Sequence, residues 1–544
     1  GASAGMGAQE TIAIITDPGD QIAASEAVAW AATRLEQAIA AKGMTPRRCS
    51  SAEEAKGARF AAFIAGPGAP VAGSWAGGTT LPAEPEAFTL VPGRATGQRA
   101  LLACGRDPRG LVYAILELAD RVEHGAAPDV SLNIAQAVVE RPANRVRSIA
   151  RLFVNDLEDK PWFNDRDMWP SYLDLLAAQR FNRFNLSFGI GYDFLRQVTD
   201  AYFLFLYPFL LDVPGHKVRA APLPDSERDR NLQMLKFIAK ETVRRGIDFQ
   251  LGIWTHGYEW ENSPNPNYTI EGLTAENHAA YCRDAVRLLL KEVPDISGIT
   301  FRVHGESGVE EGSYDFWRTV FSGVESCGRN VEIDMHAKGM NDTMRRLATD
   351  TGLPVKVSPK YWAEHMGMPY HQACIRQQEV PRPDREVSSL MKFSAGSRSF
   401  LRYGYGDLLK EDRPWGILHR IWPGTQRLLL WGDPVTAAAH ARAFTFCGTD
   451  GVEIMEPLSF KGRRGSGYAG NRTAYADSTL RPRWDWQKYE YSYRVWGQAL
   501  YNPESEPHGP RRYLEAQFGD KARTAEAAIS NASRILPIIT TAHG

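Results

Sequence analysis

The sequence shows almost no excess of either charge. Its 63 Lys and Arg residues stand against 64 Asp and Glu residues, which gives a formal net charge of −1. Proteins dedicated to binding nucleic acid usually carry a basic face or a high pI. The charge balance therefore argues against nucleic acid as a partner of this protein.

Long apolar runs are missing too. The most apolar stretch, 201–211, is interrupted by Pro208 and falls well short of the ~20 residues that a helix needs to span a bilayer. We therefore predict no membrane-spanning helix and no membrane partner. The chain begins at Gly1 without an initiator Met, as a mature form after signal removal or a trimmed chain would. This favours a periplasmic or secreted protein and leaves the cytoplasm open.

Cysteine is scarce, and several sequence motifs are absent. None of the six Cys residues forms a CxxC pair, so a zinc ribbon or a thioredoxin-like site is not expected. The glycine-rich turn at 105–110 departs from the G-x-x-x-x-G-K-[ST] pattern of phosphate loops. No G-x-G-x-x-G turn follows a predicted strand, and no G-x-S-x-G elbow does. An open doubly wound sheet and a Ser-His-Asp triad therefore have little support.

Aromatic residues, in contrast, are plentiful, with 14 Trp, 20 Tyr and 23 Phe. Aromatic rings fill large cores, and they also provide flat faces on which sugar rings stack. The composition alone leaves both roles open. With 43% hydrophobic and 23% charged residues, the chain as a whole has the composition of a folded globular protein.

Residues 1–140 predict a small α/β domain. An apolar run at 11–16 is typical of a strand, and the stretch 24–41 shows helical periodicity. Further along, Asp107 is placed to cap a helix that has Pro108 at its first position. A short linker with a proline then separates this domain from the rest of the chain.

From 145 to 460 the pattern changes to short apolar runs that alternate with helical stretches. Runs that are apolar throughout suit parallel strands covered on both faces. Eight such strands close most economically into a (β/α)8 TIM barrel, and an open doubly wound sheet is the alternative. Residues 485–544 predict a helical C-terminal region. The eight predicted barrel strands are 147–153, 184–188, 249–254, 299–303, 331–335, 355–358, 400–405 and 451–455.

Polar side chains gather at one end of these predicted strands. In a TIM barrel the active site lies at the C-terminal ends of the strands, and here those ends are followed by carboxylates, histidines, cations and aromatic residues, whereas the opposite ends carry plain turns. This asymmetry predicts a site built from Trp254, His256, His304, Glu306, Asp334, His336, Lys338, Lys360, Trp362, Glu364, His365, Arg402, Tyr403 and Glu456.

Glu306 is the strongest catalytic candidate. It follows the fourth predicted strand directly, and Gly305 beside it lets a substrate approach the backbone. A carboxyl group in a partly dry pocket has a raised pKa and can act as a general acid. The structural alternative is a helix cap or an ion pair with Arg302.

Glycoside hydrolysis needs a second carboxylate, which acts as a base or a nucleophile. Asp334 and Glu364 belong to the next two strand units and are candidates to face Glu306, with a structural role in holding His336 or Lys360 as the alternative. Glu456 ranks lower and is placed among the binding residues. Glu453 lies three residues before it and is expected on the opposite face of the strand, since successive strand residues alternate between faces.

Three cations near the strand ends, Lys338, Lys360 and Arg402, form a cationic rim that suits a carboxylate-bearing sugar. The alternative is that they neutralise nearby acids. Four further residues are expected to stack on sugar rings because they are aromatic and lie at or just past strand ends. These stacking candidates are Trp254, Trp260, Trp362 and Tyr403.

Histidines at the strand ends raise the question of a metal. Neither HxH nor HExxH spacing is present, and such residues bind sugar hydroxyls equally well. We therefore expect no metal and no cofactor, and we assign the histidines to substrate binding. They are His256, His304, His336 and His365.

Several stretches resemble known glycosidases. Residues 105–114, GRDPRGLVYA, resemble the G-x-x-x-R-G-[LV]-x-Y-[GA] signature that closes the N-terminal α/β domain shared by α-glucuronidases and family 20 hexosaminidases. Residues 179–183, QRFNR, look like the first helix-to-strand passage of such barrels. Residues 493–503 and 532–537 resemble the helical C-terminal region of the α-glucuronidases in glycoside hydrolase families 67 and 115.

The resemblance implies an exo-acting glycosidase that removes a terminal sugar, often a uronic acid, from a plant or microbial polysaccharide or oligosaccharide. Family 67 enzymes invert configuration with an acid that follows the fourth strand, and Glu306 matches that position. Related enzymes with helical C-terminal regions often dimerise through them, so the resemblance also implies a homodimer.

Two other functions stay open on the sequence alone. A retaining hexosaminidase-like enzyme would use an acetamido group of its substrate as the nucleophile, and its pocket would hold a small apolar slot instead of a Lys/Arg pair. A non-catalytic carbohydrate-binding protein on a TIM barrel would keep the aromatic residues and would need no matched acid and base.

Overall fold

A computed structural model gives the fold. It describes residues 10–75, 77–153, 156–189, 202–259, 267–338, 340–359, 412–421, 432–445, 448–456, 477–535 and 537–539. Within these ranges, no helix combines the length and the apolar character that crossing a membrane requires. The cysteines in the same ranges are buried free thiols, namely Cys49, Cys104, Cys282 and Cys327.

The N-terminal part is a six-stranded sheet flanked by helices. Its strands are β1 (Thr11–Thr16), β2 (Thr45–Cys49), β3 (Phe60–Ala65), β4 (Phe88–Ala95), β5 (Gln98–Gly105) and β6 (Val138–Glu140). They lie in the order β2-β1-β3-β5-β4-β6, and β4 runs antiparallel to both of its neighbours. The flanking helices are α1 (Glu26–Ala41), α2 (Pro70–Ser74), α3 (Pro108–Glu123) and α4 (Pro128–Ser131).

The glycine-rich turn before α3 has a structural role. Asp107 caps the helix, as the sequence predicts, because its side chain accepts a hydrogen bond of 2.8 Å from the backbone N–H of Gly110. A Cβ at Gly110 would lie 2.4 Å from the carbonyl oxygen of Ala87, so only glycine allows this close packing of helix on strand.

Eight parallel strands close into a barrel, which confirms the predicted TIM fold. They are β7 (Val146–Phe153), β8 (Arg183–Phe188), β10 (Asp248–Ile253), β12 (Ile296–Phe301), β13 (Glu332–His336), β14 (Val355–Ser358), β15 (Gly416–Ile421) and β16 (Gly451–Met455). A separate antiparallel pair is formed by β9 (Arg219–Ala221) and β11 (Thr269–Glu271). The alternative of an open doubly wound sheet is therefore excluded.

The seventh barrel strand corrects one prediction. The sequence predicts it at 400–405, a segment outside the described residues, but the structure places Gly416–Ile421 in the seventh position. Along this strand Leu418 and Arg420 alternate with Ile417, His419 and Ile421. A strand with an inward-facing arginine does not form the continuous apolar run that the prediction relied on.

Helices cover the barrel and continue into the C-terminal region. Those beside the barrel are α5 (Asp156–Phe163), α6 (Met168–Ala178), α7 (Asp225–Arg244), α8 (His278–Glu292), α9 (Tyr314–Glu325), α10 (Asp342–Thr349) and α11 (Pro434–Ala443). The C-terminal helices are α12 (Glu490–Tyr501), α13 (His508–Phe518) and α14 (Ala522–Ser533), and α12 packs along α11.

A buried junction joins the three parts of the chain. Arg147, at the start of β7, is fully buried and donates to Glu86 Oε1 (2.7 Å), in the turn before β4, and to Tyr113 Oη (2.9 Å) of α3. Tyr501 of α12 donates to the carbonyl oxygen of Glu86 (2.7 Å). Tyr113 belongs to the 105–114 stretch that carries the glycosidase resemblance, so this stretch contributes to the junction between the N-terminal part and the barrel.

Candidate active site

The barrel interior contains a layer of buried charges, which we call the interior ion network: Asp334, Glu453, Arg183 and Arg420. Arg420 donates to Asp334 Oδ2 (2.8 Å) and also pairs with Glu453. Arg183 donates to Glu453 Oε2 at 2.6 Å. All four side chains are nearly inaccessible to solvent. TIM barrels usually fill this space with branched apolar side chains, and here ion pairs fill much of it.

Both carboxylates of the network, those of Asp334 and Glu453, have partners for each of their oxygens. Asp334 also accepts from Thr300 (3.1 Å) and from Ser358, and Glu453 also accepts from Ser148 (2.9 Å) and Asn185 (3.0 Å). Burial raises the pKa of Glu453, but attraction to Arg420 and Arg183 outweighs it and lowers the pKa to about 2. Glu453 is therefore ionised and has a structural role.

Asp334 lies deeper than its predicted role requires. Side chains two residues apart on a strand share a face, so Asp334 points into the barrel one layer below His336, which ends β13. Because its carboxylate is fully buried and engaged by Arg420, Thr300 and Ser358, it is poorly placed to activate a water. We therefore assign Asp334 to the interior ion network and leave it out of the proposed catalytic pair.

A second group of charges lies at the C-terminal rim, and we call it the rim cluster: Glu306, Arg302, Lys338 and His304. Glu306 Oε2 pairs with Arg302, and Glu306 Oε1 pairs with Lys338. The backbone N–H of Glu306 lies 3.3 Å from His304 Nδ1, and Arg302 Nε lies 3.1 Å from His304 Nε2. The structure thus brings together three of the predicted site residues around a cation, Arg302, that the sequence suggested only as a structural partner.

The pKa of Glu306 is shifted in the direction opposite to the prediction. The sequence predicts a raised pKa and a general acid. Burial does raise the pKa of Glu306, but attraction to Arg302, His304 and Lys338 outweighs burial and holds the pKa well below its usual range. Two cations close to a carboxylate favour its charged form. In this arrangement Glu306 is ionised, and its side chain retains 23% exposure.

Trp254 and His336 lie beside the rim cluster. The guanidinium of Arg302 lies over the Trp254 ring at 5.3 Å, and the His336 ring meets the same indole edge-on at 4.3 Å. Trp254 is buried with Ala150, Leu152 and Met455. The Trp254 ring thus packs against the Arg302 guanidinium on the inner side of the rim cluster. Almost none of the Trp254 side chain is exposed, so it is poorly placed to stack on a sugar.

Two predicted binding residues lie outside the rim cluster. His256 is fully buried, with its Nε2 at 2.8 Å from Tyr207 Oη, in a group of aromatic side chains behind the rim. Glu456 accepts from Tyr172 (2.6 Å) and Tyr493 (2.8 Å) and pairs with Arg151 (2.8 Å). Since Tyr493 belongs to α12, Glu456 links the barrel to the C-terminal region, and we leave it out of the proposed site.

The stacking candidate Trp260 and six predicted site residues lie outside the described residues, so their roles stay predictions. The six site residues are Lys360, Trp362, Glu364, His365, Arg402 and Tyr403. Within the described part of the chain, no group of three or more His, Cys, Asp or Glu side chains is arranged to hold a metal ion.

The sequence analysis does not predict the interior ion network. It predicts that Glu453 faces away from Glu456, and it assigns no role to Arg183 or Arg420. One signal was available: residues two apart on a strand share a face, so a charged residue two positions before a residue that faces the inside of the barrel at its rim also faces the inside. Several strands carrying such residues at the same depth would have indicated paired charges.

Comparison with known proteins gives the fold but no family. No protein-family model matches the chain, and no curated protein matches it in sequence. Among solved structures, a GH138 enzyme targeting pectin rhamnogalacturonan II superimposes with a TM-score of 0.63 at 15% identity, and the match covers 97% of this chain and 56% of that one. The chain thus spans little more than half the length of this neighbour.

More distant matches include two further glycoside hydrolases. CpGH89 from Clostridium perfringens, in complex with GlcNAc-α-1,4-galactose, matches with a TM-score of 0.49 at 11% identity over 90% of this chain and 51% of that one. CpGH84D matches with a TM-score of 0.46 at 8% identity over 95% and 70% of the two chains. By its match to the GH138 enzyme, this chain, in which a TIM barrel follows an N-terminal α/β sheet, is similar in fold to a glycoside hydrolase.

Proposed function

We propose that this protein is an exo-acting glycoside hydrolase that removes a terminal uronic acid from a plant or microbial polysaccharide or oligosaccharide. The observation that carries the proposal is the rim cluster, in which the Glu306 carboxylate lies between Arg302 and Lys338 at the C-terminal end of a TIM barrel. Active sites of TIM-barrel enzymes lie at this end. The fold shared with a GH138 enzyme supports the same reaction type.

The ionised state of Glu306 suits one of the two carboxylate roles in glycoside hydrolysis. A carboxylate held by two cations has no proton to give, so we assign Glu306 as the base or the nucleophile. The general acid is then a second carboxyl group, for which Glu364 remains the candidate from the sequence. Carboxyl groups ~6.5–9.5 Å apart invert configuration, and those ~5–5.5 Å apart retain it.

The charge of the rim cluster supports a uronic acid as the sugar. Among its described residues, Arg302 and Lys338 carry two positive charges and Glu306 carries one negative charge. The excess cation can bind a sugar carboxylate, which forms stronger hydrogen bonds with a cation than a neutral hydroxyl does. Lys338 is the better candidate for this contact, because its side chain is 10% exposed whereas that of Arg302 is 4% exposed and lies over the Trp254 ring.

The test is a screen of paired aryl glycosides and oligosaccharides that differ only in a carboxylate or a hydroxymethyl group at C5. We expect turnover of the uronosides and much weaker turnover of the matched neutral hexosides. The anomer of the first-formed product, followed by NMR, gives the stereochemistry. Preference for N-acetylhexosaminides would favour the hexosaminidase-like alternative, and sugar binding without turnover would favour the non-catalytic one.

The role of Glu306 is tested with matched variants. Glu306→Gln should lower turnover of the uronoside by about 10²–10⁴-fold, whereas Glu310→Gln, which changes an exposed glutamate four residues on, should leave turnover unchanged. In Glu306→Ala, added azide should restore product formation if the missing carboxylate attacks the sugar or activates water. Wild-type turnover in Glu306→Gln would overturn the assignment of Glu306.

A further inference from the structure

The turn that carries Glu306 is held from the side by the loop that follows β10. This turn, Gly305–Ser307, is a single 3-10 turn. The carbonyl oxygen of Ser307 accepts hydrogen bonds from the backbone N–H groups of His256 (2.8 Å) and Gly257 (2.9 Å). Ser307 is fully buried. Two main-chain donors on one buried oxygen therefore fix the position of the turn relative to the neighbouring strand.

The two loops also meet backbone to backbone at a pair of glycines. A Cβ on Gly257 would lie 2.8 Å from the Cα and the carbonyl oxygen of Gly308. Gly308 has a φ of +82°, a conformation that favours glycine. Because no side chain separates the loops here, a displacement of the β10 loop is transmitted directly to the residues that follow Glu306.

His256 anchors the β10 loop in the protein interior. Its ring is fully buried, with Nε2 at 2.8 Å from Tyr207 Oη and with the Trp317 ring packed edge-on at 5.2 Å. The carbonyl oxygen of His256 accepts from His278 Nε2 at 2.6 Å. The residue is thus held through its side chain and its backbone by three other elements, namely the turn at 207–209, α8 and α9.

Burial and repulsion from His278 lower the pKa of His256 to about 3. The ring therefore stays neutral at ordinary pH and adds no charge next to the rim cluster. The groups that act on Glu306 electrostatically are Arg302, His304 and Lys338. His256 can therefore influence Glu306 through the position of the turn that carries it, and not through charge.

We propose that His256 is a positioning residue: it fixes Glu306 against Arg302 and Lys338 through the main chain of Ser307 and does not contact the substrate. The inference rests on the proposed function, because it takes Glu306 as the reacting carboxylate. Misplacement of a reacting group by about 1 Å costs on the order of 100-fold in rate. A buried residue that fixes the turn can therefore control turnover from behind the site.

The test compares His256→Ala and Tyr207→Phe with the control His216→Ala. The control removes a largely buried histidine that pairs with Asp284 and packs on Tyr281, close to the same aromatic group. We expect His256→Ala to lower kcat by about 10–100-fold with KM changed by less than about twofold. Tyr207→Phe, which removes only the hydroxyl partner of the ring, should have a smaller effect in the same direction.

A pH profile separates positioning from simple loss of stability. If Glu306 moves away from Arg302 and Lys338, its pKa rises toward the ordinary value, so the acidic limb of kcat shifts to higher pH in His256→Ala. The limb should stay in place in His216→Ala. A limb that stays in place in His256→Ala, or a rise in KM with kcat unchanged, would overturn the inference and return His256 to substrate binding.

Crystal structures of the wild type and of His256→Ala give a readout that needs no activity. We expect the Glu306 carboxylate to move by more than about 0.5 Å, the tolerance within which catalytic groups are usually held. A carboxylate that stays in place would contradict the inference. Absence of uronoside turnover in the wild type would overturn the proposed function and leave this structural link intact, whereas wild-type turnover in Glu306→Gln would overturn the assignment of Glu306 as the reacting carboxylate.

Discussion

Two groups of charges lie in the same barrel about one layer apart, and they differ in what surrounds them. In the interior ion network, Asp334 and Glu453 are inaccessible to solvent, and their oxygens are engaged by arginines and by neutral hydrogen-bond donors. In the rim cluster, Glu306 contacts two cations through its side chain and keeps 23% exposure. Carboxylates paired with cations thus stabilise the fold in the interior ion network, whereas in the rim cluster the paired carboxylate stays accessible to solvent.

The comparison shows that residue type alone does not separate a carboxylate inside the barrel from one at its rim. Asp334 and Glu306 belong to adjacent strand units, and the sequence predicts both as catalytic. The structure separates them, because Asp334 lies within β13 whereas Glu306 lies in the turn beyond the end of β12. Position along the strand axis decides which of the two carboxylates reaches the rim.

The largest expected effect comes from exchanging the two carboxylates for amides. Glu306→Gln should lower kcat by about 10²–10⁴-fold and should change the free energy of unfolding little, because this side chain is partly exposed. Asp334→Asn should do the opposite: a marked loss of stability, with kcat per folded molecule close to wild type. Kinetics and urea unfolding on both variants check this. Equal effects of the two substitutions on kcat would contradict the separation of roles.

Arg420→Met breaks the interior ion network at its centre. Arg420 pairs with both Asp334 and Glu453, so its loss leaves two buried carboxylates without their main cation. Breaking a buried ion pair by removing one partner costs about 3–5 kcal/mol. We expect a loss of that size in the free energy of unfolding, measured by urea denaturation. Lys356→Met, which removes a more exposed cation paired with Glu332, should cost clearly less.

The acid sensitivity of the network follows from Glu453. Its pKa is lowered from 4.5 to about 2 in the folded protein, so it stabilises the fold above the unfolded-state pKa, and this stabilisation is lost as the pH falls from about 5 towards 2. For one fully buried group the loss is about 3 kcal/mol. The free energy of unfolding should fall less steeply over this range in Glu453→Gln, which is less stable at neutral pH. Parallel curves for the two proteins would show that Glu453 does not carry this dependence.

The smallest expected effect concerns the sugar preference of the rim cluster. Lys338→Met removes the cation assigned to the sugar carboxylate, so the ratio of kcat/KM for a uronoside to that for the matched neutral hexoside should fall by about tenfold, equivalent to about 1.4 kcal/mol. Lys356→Met serves as the matched control, because it removes a cation that pairs with Glu332 near the N-terminal ends of the barrel strands, away from the rim cluster. An unchanged ratio in Lys338→Met would move carboxylate recognition to another residue.

The sequence by itself determined where most barrel strands lie along the chain and that Glu306 stands at the rim of the barrel. Apolar runs and helical periodicity placed seven of the eight barrel strands, and Val355–Ser358 and Gly451–Met455 have the predicted bounds. These signals are local, since burial on both faces of a parallel strand requires apolar residues wherever the strand lies. The same logic placed Glu306 at the C-terminal end of the fourth strand, where the structure has it.

Only the tertiary structure decided how the charges are paired. Asp334, Glu453, Arg183 and Arg420 come from four different strands, so their mutual contacts depend on the register of the closed barrel, which no single strand encodes. The same holds for the ionised state of Glu306, because the cation Lys338 that helps to lower its pKa reaches it from the next strand unit. Local sequence specifies which residues stand at the rim, and barrel closure specifies which of them meet, because a pKa depends on distances across strands.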